Sequence, residues 1–490
     1  MAAADGVRTV VAVAEDQAAA VAVVIPALET VAAVEARSSQ APGGSPKTPG
    51  RRAARTLKRP RRGTERLRLA FVVQRYGENV NGGAEYHCRL IAEHLARQHQ
   101  VEVLTTCAKD YITWRNEHRA GLQVANGVSV RRFKVKKPRD ADRFGRLSQK
   151  VFLGRHDRKD ELAWLDEQGP FSPKLLAFLK RRHDEYDYFI FFSYRYYHSF
   201  YGVQAVAPKA VLVPTAEQDE VIDLEIFKSL FRLPRAIVYN SVEERAMIWS
   251  KSGNRKVRGE VVGVGSDVPE TIDPELFRTR QSGQSNRKLL DRYIIYIGRI
   301  DPNKGCRTLF DYYRRYREET RSPLELVLVG GKMMDIPDDP GIRYVGFLSE
   351  AEKWSALTGA ELLVMPSELE SLSMVTNEAW SIGKPVLANG KCDVLRGQCR
   401  RSNAGLYFDD YYEFRDALSR LEADKALRDG LGRNGERYYR DHYRWEVVEG
   451  KYNRMLSLLR DEDRKRPPVI NHPGLLARGF GNWGKLRKLR

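Results

Sequence analysis

From residue 67 onward the chain alternates short apolar runs with longer stretches in which apolar residues return every three or four positions. The first pattern predicts strands buried on both faces, the second predicts amphipathic helices, and their alternation predicts a doubly wound parallel sheet. Residues 67–74 read as the first strand. A glycine turn, Asn81-Gly82-Gly83, then opens a helix over 84–98 whose Leu90, Ile91, His94 and Leu95 share one face. Further buried strands are expected at 101–105, 129–133, 188–192, 210–213 and 236–239, with an Arg- and Asp-rich helical insertion at 138–170.

Periodicity is lost over 266–290, where Pro269, Pro274 and a Ser-Gly-Gln-Ser-Asn run fall together. That marks a domain boundary. The pattern then restarts, with strands at 293–297, 326–329, 343–345, 362–365 and 386–388 between helices, and a long closing helix at 445–459. The expected fold class is therefore α/β, with two Rossmann-like doubly wound domains, 67–289 and 290–440, facing an interdomain cleft where ligands of open sheets bind. A segment over 441–462 crosses back. Residues 1–66 and 463–490 read as tails, the first a disordered basic segment. Its Ala- and Val-rich start is interrupted by Asp5, Glu15, Asp16 and Glu29 and lacks a basic lead, which argues against a signal peptide.

A chain of 490 residues is too long for one ordinary core, which agrees with two domains plus tails. No stretch reaches the roughly eighteen uninterrupted apolar residues of a membrane span. Lys and Arg outnumber Asp and Glu 83 to 64, a net charge of +19, so the expected partners are anionic: nucleoside diphosphates, a lipid headgroup layer or nucleic acid. The basic residues are spread through the tails and are not interleaved with aromatic residues on one motif, which disfavours nucleic acid. Five cysteines without a Cys-x-x-Cys pair or a zinc-like His spacing fit a reduced, cytoplasmic compartment.

Two motifs carry chemistry. Gly298-Arg-Ile-Asp-Pro-Asn-Lys-Gly305 follows a strand and precedes a helix, so Arg299, Lys304 and a helix amino end can hold a diphosphate, with Gly298 allowing close approach. About seventy residues later, Glu370-Ser-Leu-Ser-Met-Val-Thr-Asn-Glu378 supplies two carboxylates able to accept hydrogen bonds from sugar and ribose hydroxyls. Glu370 is expected in a loop and Glu378 on a helix beginning near Ser373. Either motif alone has a plain reading, a charged turn or a solvated helix face; their joint spacing is what singles them out.

Together the segments resemble the donor site of the retaining GT-B glycosyltransferases of family four, over residues 67–462 and most strongly over 293–407. The resemblance implies transfer of a hexose-type sugar from a nucleoside diphosphate sugar to a hydroxyl acceptor, with retention. It assigns Arg299 and Lys304 to the diphosphate, Glu370 to the sugar, Glu378 to the ribose, and Gly298, Ser371, Leu372, Ser373 and Met374 to the donor. Gly82 and Gly83 would face the phosphates and acceptor from across the cleft. Ser371 and Ser373 stand where many members have glycine. Where many members have a His, this chain has Thr215-Ala-Glu-Gln-Asp219, leaving Glu217 or Asp219 for a polar role on the acceptor side. His87 and His198 read as structural more readily than catalytic, though His198 follows a strand on the acceptor side.

No cofactor and no metal are called for, because Arg299 and Lys304 can balance the diphosphate charge. Asp140-Ala-Asp142 mimics a metal-binding Asp-x-Asp but reads as a solvated loop. The open alternatives are a sugar-nucleotide epimerase or phosphorylase of the same fold and a nucleic-acid-binding protein. Basic residues around Leu475, Leu476, Phe480 and Trp483 suit an anionic membrane surface, and thus a lipid-linked acceptor and a peripheral location.

Overall fold

Strands of Val, Ile, Leu and aromatic residues with no polar alternation can be buried only if both faces are covered, and that is how this chain folds. The computed structural model describes residues 66–470 except 79, 81 and 280–290. The amino-terminal tail, the turn residue Asn81 and the anchors beyond residue 470 named above lie outside the described residues.

The first sheet is formed by β1 (Arg68–Val72), β2 (Gln100–Thr106), β3 (Gly121–Ala125), β4 (Val128–Phe133), β5 (Tyr188–Phe192), β6 (Ala210–Val213), β7 (Ala236–Tyr239) and β8 (Arg258–Val261). Their spatial order is β3-β4-β2-β1-β5-β6-β7-β8. Every pairing is parallel except the β3/β4 hairpin, turned by Asn126 and Gly127, both at positive φ. That two-residue Asn-Gly turn matches the right-handed twist of the strands it joins. The second sheet contains β9 (Tyr293–Ile297), β10 (Glu325–Val329), β11 (Ile342–Gly346), β12 (Leu363–Met365), β13 (Val386–Asn389) and β14 (Gly405–Phe408), in the order β11-β10-β9-β12-β13-β14 and parallel throughout.

Both sheets reverse direction of winding at a switch point, between β1 and β5 in the first and between β9 and β12 in the second. Loops leaving adjacent strands at such a point diverge and leave a crevice. The loops after β9 and β12 hold the two sequence motifs, so topology alone brings them together.

The insertion forms two helices, Ala141–Leu153 and Arg158–Gln168. Asp140 corrects one expectation: its side chain accepts the Arg143 amide at 2.9 Å and caps the first of these helices, in place of a loop. β3, β8 and β14 were not foreseen, being short or edge elements.

The last helix, Trp445–Lys465, runs longer than its apolar pattern suggested and lies against the first domain. Glu449 meets His94 Nδ1 at 2.8 Å, Asp463 accepts from the Tyr188 hydroxyl at 2.7 Å, and Glu462 pairs with Arg235 at 2.6 Å. Trp445 stacks on His94 with ring centroids 3.4 Å apart. The second domain is thereby tied to the first by its own carboxyl end.

Candidate active site at the domain cleft

Lys304 sits on a short turn, Pro302–Lys304, between β9 and the helix Cys306–Thr320. The turn ends at Gly305 with φ +72°, where an added Cβ would collide with the Pro366 carbonyl. Only glycine permits both that conformation and that approach, which draws the β9 loop onto the β12 loop. Lys304 Nζ consequently lies 2.9 Å from Glu370 Oε1, 3.3 Å from the Leu369 carbonyl and 3.9 Å from Glu217 Oε1 of the first domain. Burial alone would lower the pKa of this ammonium; Glu370 and Glu217 outweigh it and hold the pKa above the ordinary value.

Glu217 is placed by the loop after β6. Burial raises its pKa, Glu370 and Asp219 add to the rise, and Lys304 and Arg195 oppose it. Asp219 is engaged elsewhere, pairing with Arg195 at 2.6 Å. Of the two carboxylates left open by the sequence, Glu217 is therefore the one that reaches the Lys304 and Glu370 pair.

Arg299 has other partners. It contacts Asp301 at 3.1 Å and donates to the Tyr111 hydroxyl of the first domain at 3.3 Å, its guanidinium 5.9 Å from the centre of the Tyr111 ring. Arg75 lies on the same ring at 5.3 Å, so two guanidiniums from opposite domains share one aromatic side chain.

Glu378 lies on the helix Met374–Ser381, which Ser373 enters at φ +65°. It is 5% exposed and pairs with Lys353 at 3.0 Å. Burial raises the Glu378 pKa and Lys353 opposes the rise. Leu372 is buried in the core, Ser373 bonds Thr376 at 2.8 Å, and Ser371 accepts from the Asn240 side chain across the cleft at 3.2 Å. Met374 is half-buried beside them.

On the first domain, Gly83 begins the helix Gly83–Leu95 and Gly82 precedes it. A Cβ at Gly82 would strike the Glu85 carboxylate and the Arg75 guanidinium, which pair at 2.6 Å. This glycine makes room for a buried ion pair as well as for any ligand. His198 is fully buried, its ring stacked 6.1 Å from that of Tyr196, and burial drives its pKa down to about 3. His87 is also buried, edge-on to Phe192, with its pKa likewise lowered to about 3. Burial thus favours the neutral form of both rings.

Sequence reasoning missed Lys353, Tyr111, Arg75 and Asn240. Each is a lone residue on an otherwise ordinary element, and no local spacing marks its partner. Among the described residues, no group of three or more His, Cys, Asp or Glu side chains is placed to hold a metal ion.

Two Rossmann-like domains with parallel sheets, facing one cleft at their switch-point loops, define the GT-B architecture. Residues 277–438 match the family model described as glycosyl transferases group 1, so the second domain carries a glycosyltransferase segment. Among curated proteins, a D-inositol 3-phosphate glycosyltransferase of Corynebacterium urealyticum is 25% identical over 232 residues, covering 43% of this chain and 53% of its own length. The chain thus matches about half the length of that relative. Among solved structures, the sucrose-phosphate synthase of Thermosynechococcus elongatus is 17% identical, covers 81% of this chain and all of its own, and superposes with a TM-score of 0.60. An α,α-trehalose-phosphate synthase (UDP-forming) from Burkholderia vietnamiensis gives 12% identity, 82% and 99% coverage and a TM-score of 0.58. Anabaena Alr3699/HepE, solved with UDP and glucose, gives 14% identity, 80% and 100% coverage and a TM-score of 0.56. At these identities the likeness is one of fold.

Proposed function

We propose that the protein transfers a hexose-type sugar from a nucleoside diphosphate sugar to a hydroxyl acceptor, with retention of configuration and without a metal. The observation that carries this reading is the convergence of Lys304, Glu370 and Glu217 at the switch point of the second sheet. A cation between two carboxylates from opposite domains suits a ligand with an anionic part and a polyhydroxyl part.

On donor binding, the diphosphate takes Lys304 as its counter-charge and Glu370 is released toward the sugar hydroxyls. Arg299 leaves Tyr111 and Asp301 to meet the same diphosphate. As the glycosidic bond breaks, negative charge grows on the leaving phosphate, and two fixed cations stabilise it most at that moment. Glu217, an acceptor-side carboxylate near the pair, orients a sugar or acceptor hydroxyl. The acceptor oxygen then attacks from the face the leaving group vacates, its proton passing to the departing phosphate oxygen. Glu378, with Lys353, holds the ribose end. UDP in a structural neighbour and a glycosyltransferase among the curated relatives support this class of donor.

No helix among the described residues is long and apolar enough to cross a membrane. The reading places the enzyme in the cytoplasm, held peripherally on an anionic membrane by its basic carboxyl end, with a lipid-linked acceptor. Incubating the purified chain with UDP- and GDP-sugars and following nucleoside diphosphate release, with and without added hydroxyl acceptors, tests the reaction class. Release of sugar phosphate instead would indicate a phosphorylase, and an altered intact sugar nucleotide an epimerase.

A further inference from the structure

Glu244 is 1% exposed on the helix Val242–Ser252, and no ion pair reaches it among the described residues. Both of its carboxylate oxygens are nevertheless in use. Oε1 accepts the Ala216 amide at 2.6 Å and Oε2 accepts the Asn240 amide at 2.5 Å. Capping does not account for it: Ser241 already caps this helix by accepting the Glu244 amide at 3.1 Å. The Ser241-x-x-Glu244 spacing reads as a capping box, yet the carboxylate reaches one residue further back, to Asn240. A buried carboxyl group without a cation is costly to ionise, and such local conflicts are retained mainly where function needs them.

The two amides belong to loops with one destination. Ala216 precedes Glu217, whose carboxylate stands 3.9 Å from Lys304. Asn240 donates its side-chain amide to Ser371, the neighbour of Glu370, at 3.2 Å. The first loop also needs holding, because Thr215 lies at φ +48°, a region unfavourable for a β-branched residue. On one side of Thr215 the Tyr194 amide donates to the Pro214 carbonyl at 3.0 Å; on the other side Glu244 holds Ala216. Glu244 further lines a cavity of about 720 Å³ that Glu370 and Leu369 border from the second domain.

We propose that Glu244 is a positioning residue for the transfer reaction, fixing through two backbone amides where Glu217 and Asn240 meet the Lys304 and Glu370 loops across the cleft. The proposal rests on the donor-site reading above. It adds a residue that acts on the reaction through the backbone of two others.

Glu244→Gln keeps the size of the side chain but offers one acceptor oxygen and an NH2 group to two N–H donors, so one loop is released. Glu244→Gln, Asn240→Ala and the double variant are compared with wild type using UDP-glucose and GDP-mannose as donors, with UDP and GDP titrated separately. We expect Glu244→Gln to fold, to bind the nucleoside diphosphate within about three-fold of wild type and to lose about ten-fold or more in kcat, since small misplacement at a reacting centre costs rate. Asn240→Ala lowers kcat in the same way, and the double variant loses less than the product of the two, as expected for residues acting in one network. Near-wild-type kcat in Glu244→Gln, or equal losses in diphosphate affinity and kcat, overturns the proposal. If Glu244→Gln does not fold, Asn240→Ala decides: wild-type kcat overturns the proposal, and a ten-fold loss with unchanged diphosphate affinity supports it. A wild-type protein that binds neither diphosphate and consumes neither sugar nucleotide refutes the donor-site reading itself, and the proposal with it.

Discussion

Lys304 Nζ stands 2.9 Å from Glu370 Oε1, so the cation of the β9 loop is already paired with the carboxylate of the β12 loop. A donor diphosphate must take Lys304 from Glu370, and in doing so it frees Glu370 for the sugar. Binding of the anionic part thereby prepares the site for the neutral part.

Lys304→Ala should lower transfer about 100-fold or more while the circular dichroism spectrum stays native, the scale seen when one fixed stabiliser of transition-state charge is removed. Its loss also leaves Glu217 and Glu370 without the cation they share, so donor affinity falls as well. Steady-state kinetics and diphosphate titration check both effects. Near-native turnover in this variant would contradict the diphosphate assignment.

Glu378→Gln should weaken nucleoside diphosphate binding and also destabilise the fold modestly, by about 1 kcal/mol, because the largely buried Lys353 then keeps only the exposed Glu350, at 2.9 Å, as a carboxylate partner. Glu370→Gln should leave diphosphate affinity close to native and lower turnover of the intact donor. Pairing Glu378→Gln with Lys353→Met should recover much of the stability but not the affinity. Urea unfolding and UDP and GDP titration separate these effects; equal affinity loss at Glu370 and Glu378 would count against the assignment.

The alternation of apolar runs and helical periods made the two sheets legible, because parallel strands covered on both faces leave a strong signal at β1, β5 and β9. Edge elements gave less. β3 exposes Leu122 and Val124, so its apolar residues do not mark a core, although the Asn126-Gly127 turn was a hairpin signal. At the site, Lys304 and Glu370 were readable as motifs, and their meeting follows from topology. Glu217 could be separated from Asp219 only by seeing Arg195 occupy the latter. Lys353 and Tyr111 act through partners more than twenty residues away in sequence, as Glu244 does through Ala216, a distance at which side-chain spacing carries no information.

Stability should fall as pH rises through the range set by Glu244. Burial raises its pKa from 4.5 to about 8, so between these values the folded chain holds a proton the unfolded chain has lost. The stabilising contribution is complete below about 4.5 and is lost above about 8, a difference on the order of a few kcal/mol. Glu244→Gln removes it, so wild-type stability should drop relative to the variant between pH 5 and pH 8.5 in urea unfolding. Parallel stability curves would contradict this.

Residues 471–490 should contribute to binding of anionic vesicles. Each Lys or Arg near such a surface is worth about 1 kcal/mol, so a chain ending at Ile470, which keeps the closing helix, should co-sediment more weakly with phosphatidylserine vesicles than the full chain. The difference should shrink at high salt. Equal binding of the two chains would place the membrane contact elsewhere.

The central claim is that the Lys304 and Glu370 pair is the seat of sugar transfer from a nucleoside diphosphate donor. The most direct measurement is nucleoside diphosphate release from a panel of UDP- and GDP-sugars by wild type and by Lys304→Ala in parallel. The expected result is release from at least one donor by wild type, increased by a hydroxyl acceptor and nearly abolished in the folded variant. Release that is equal in the two proteins, or absent from wild type with every donor, would contradict it.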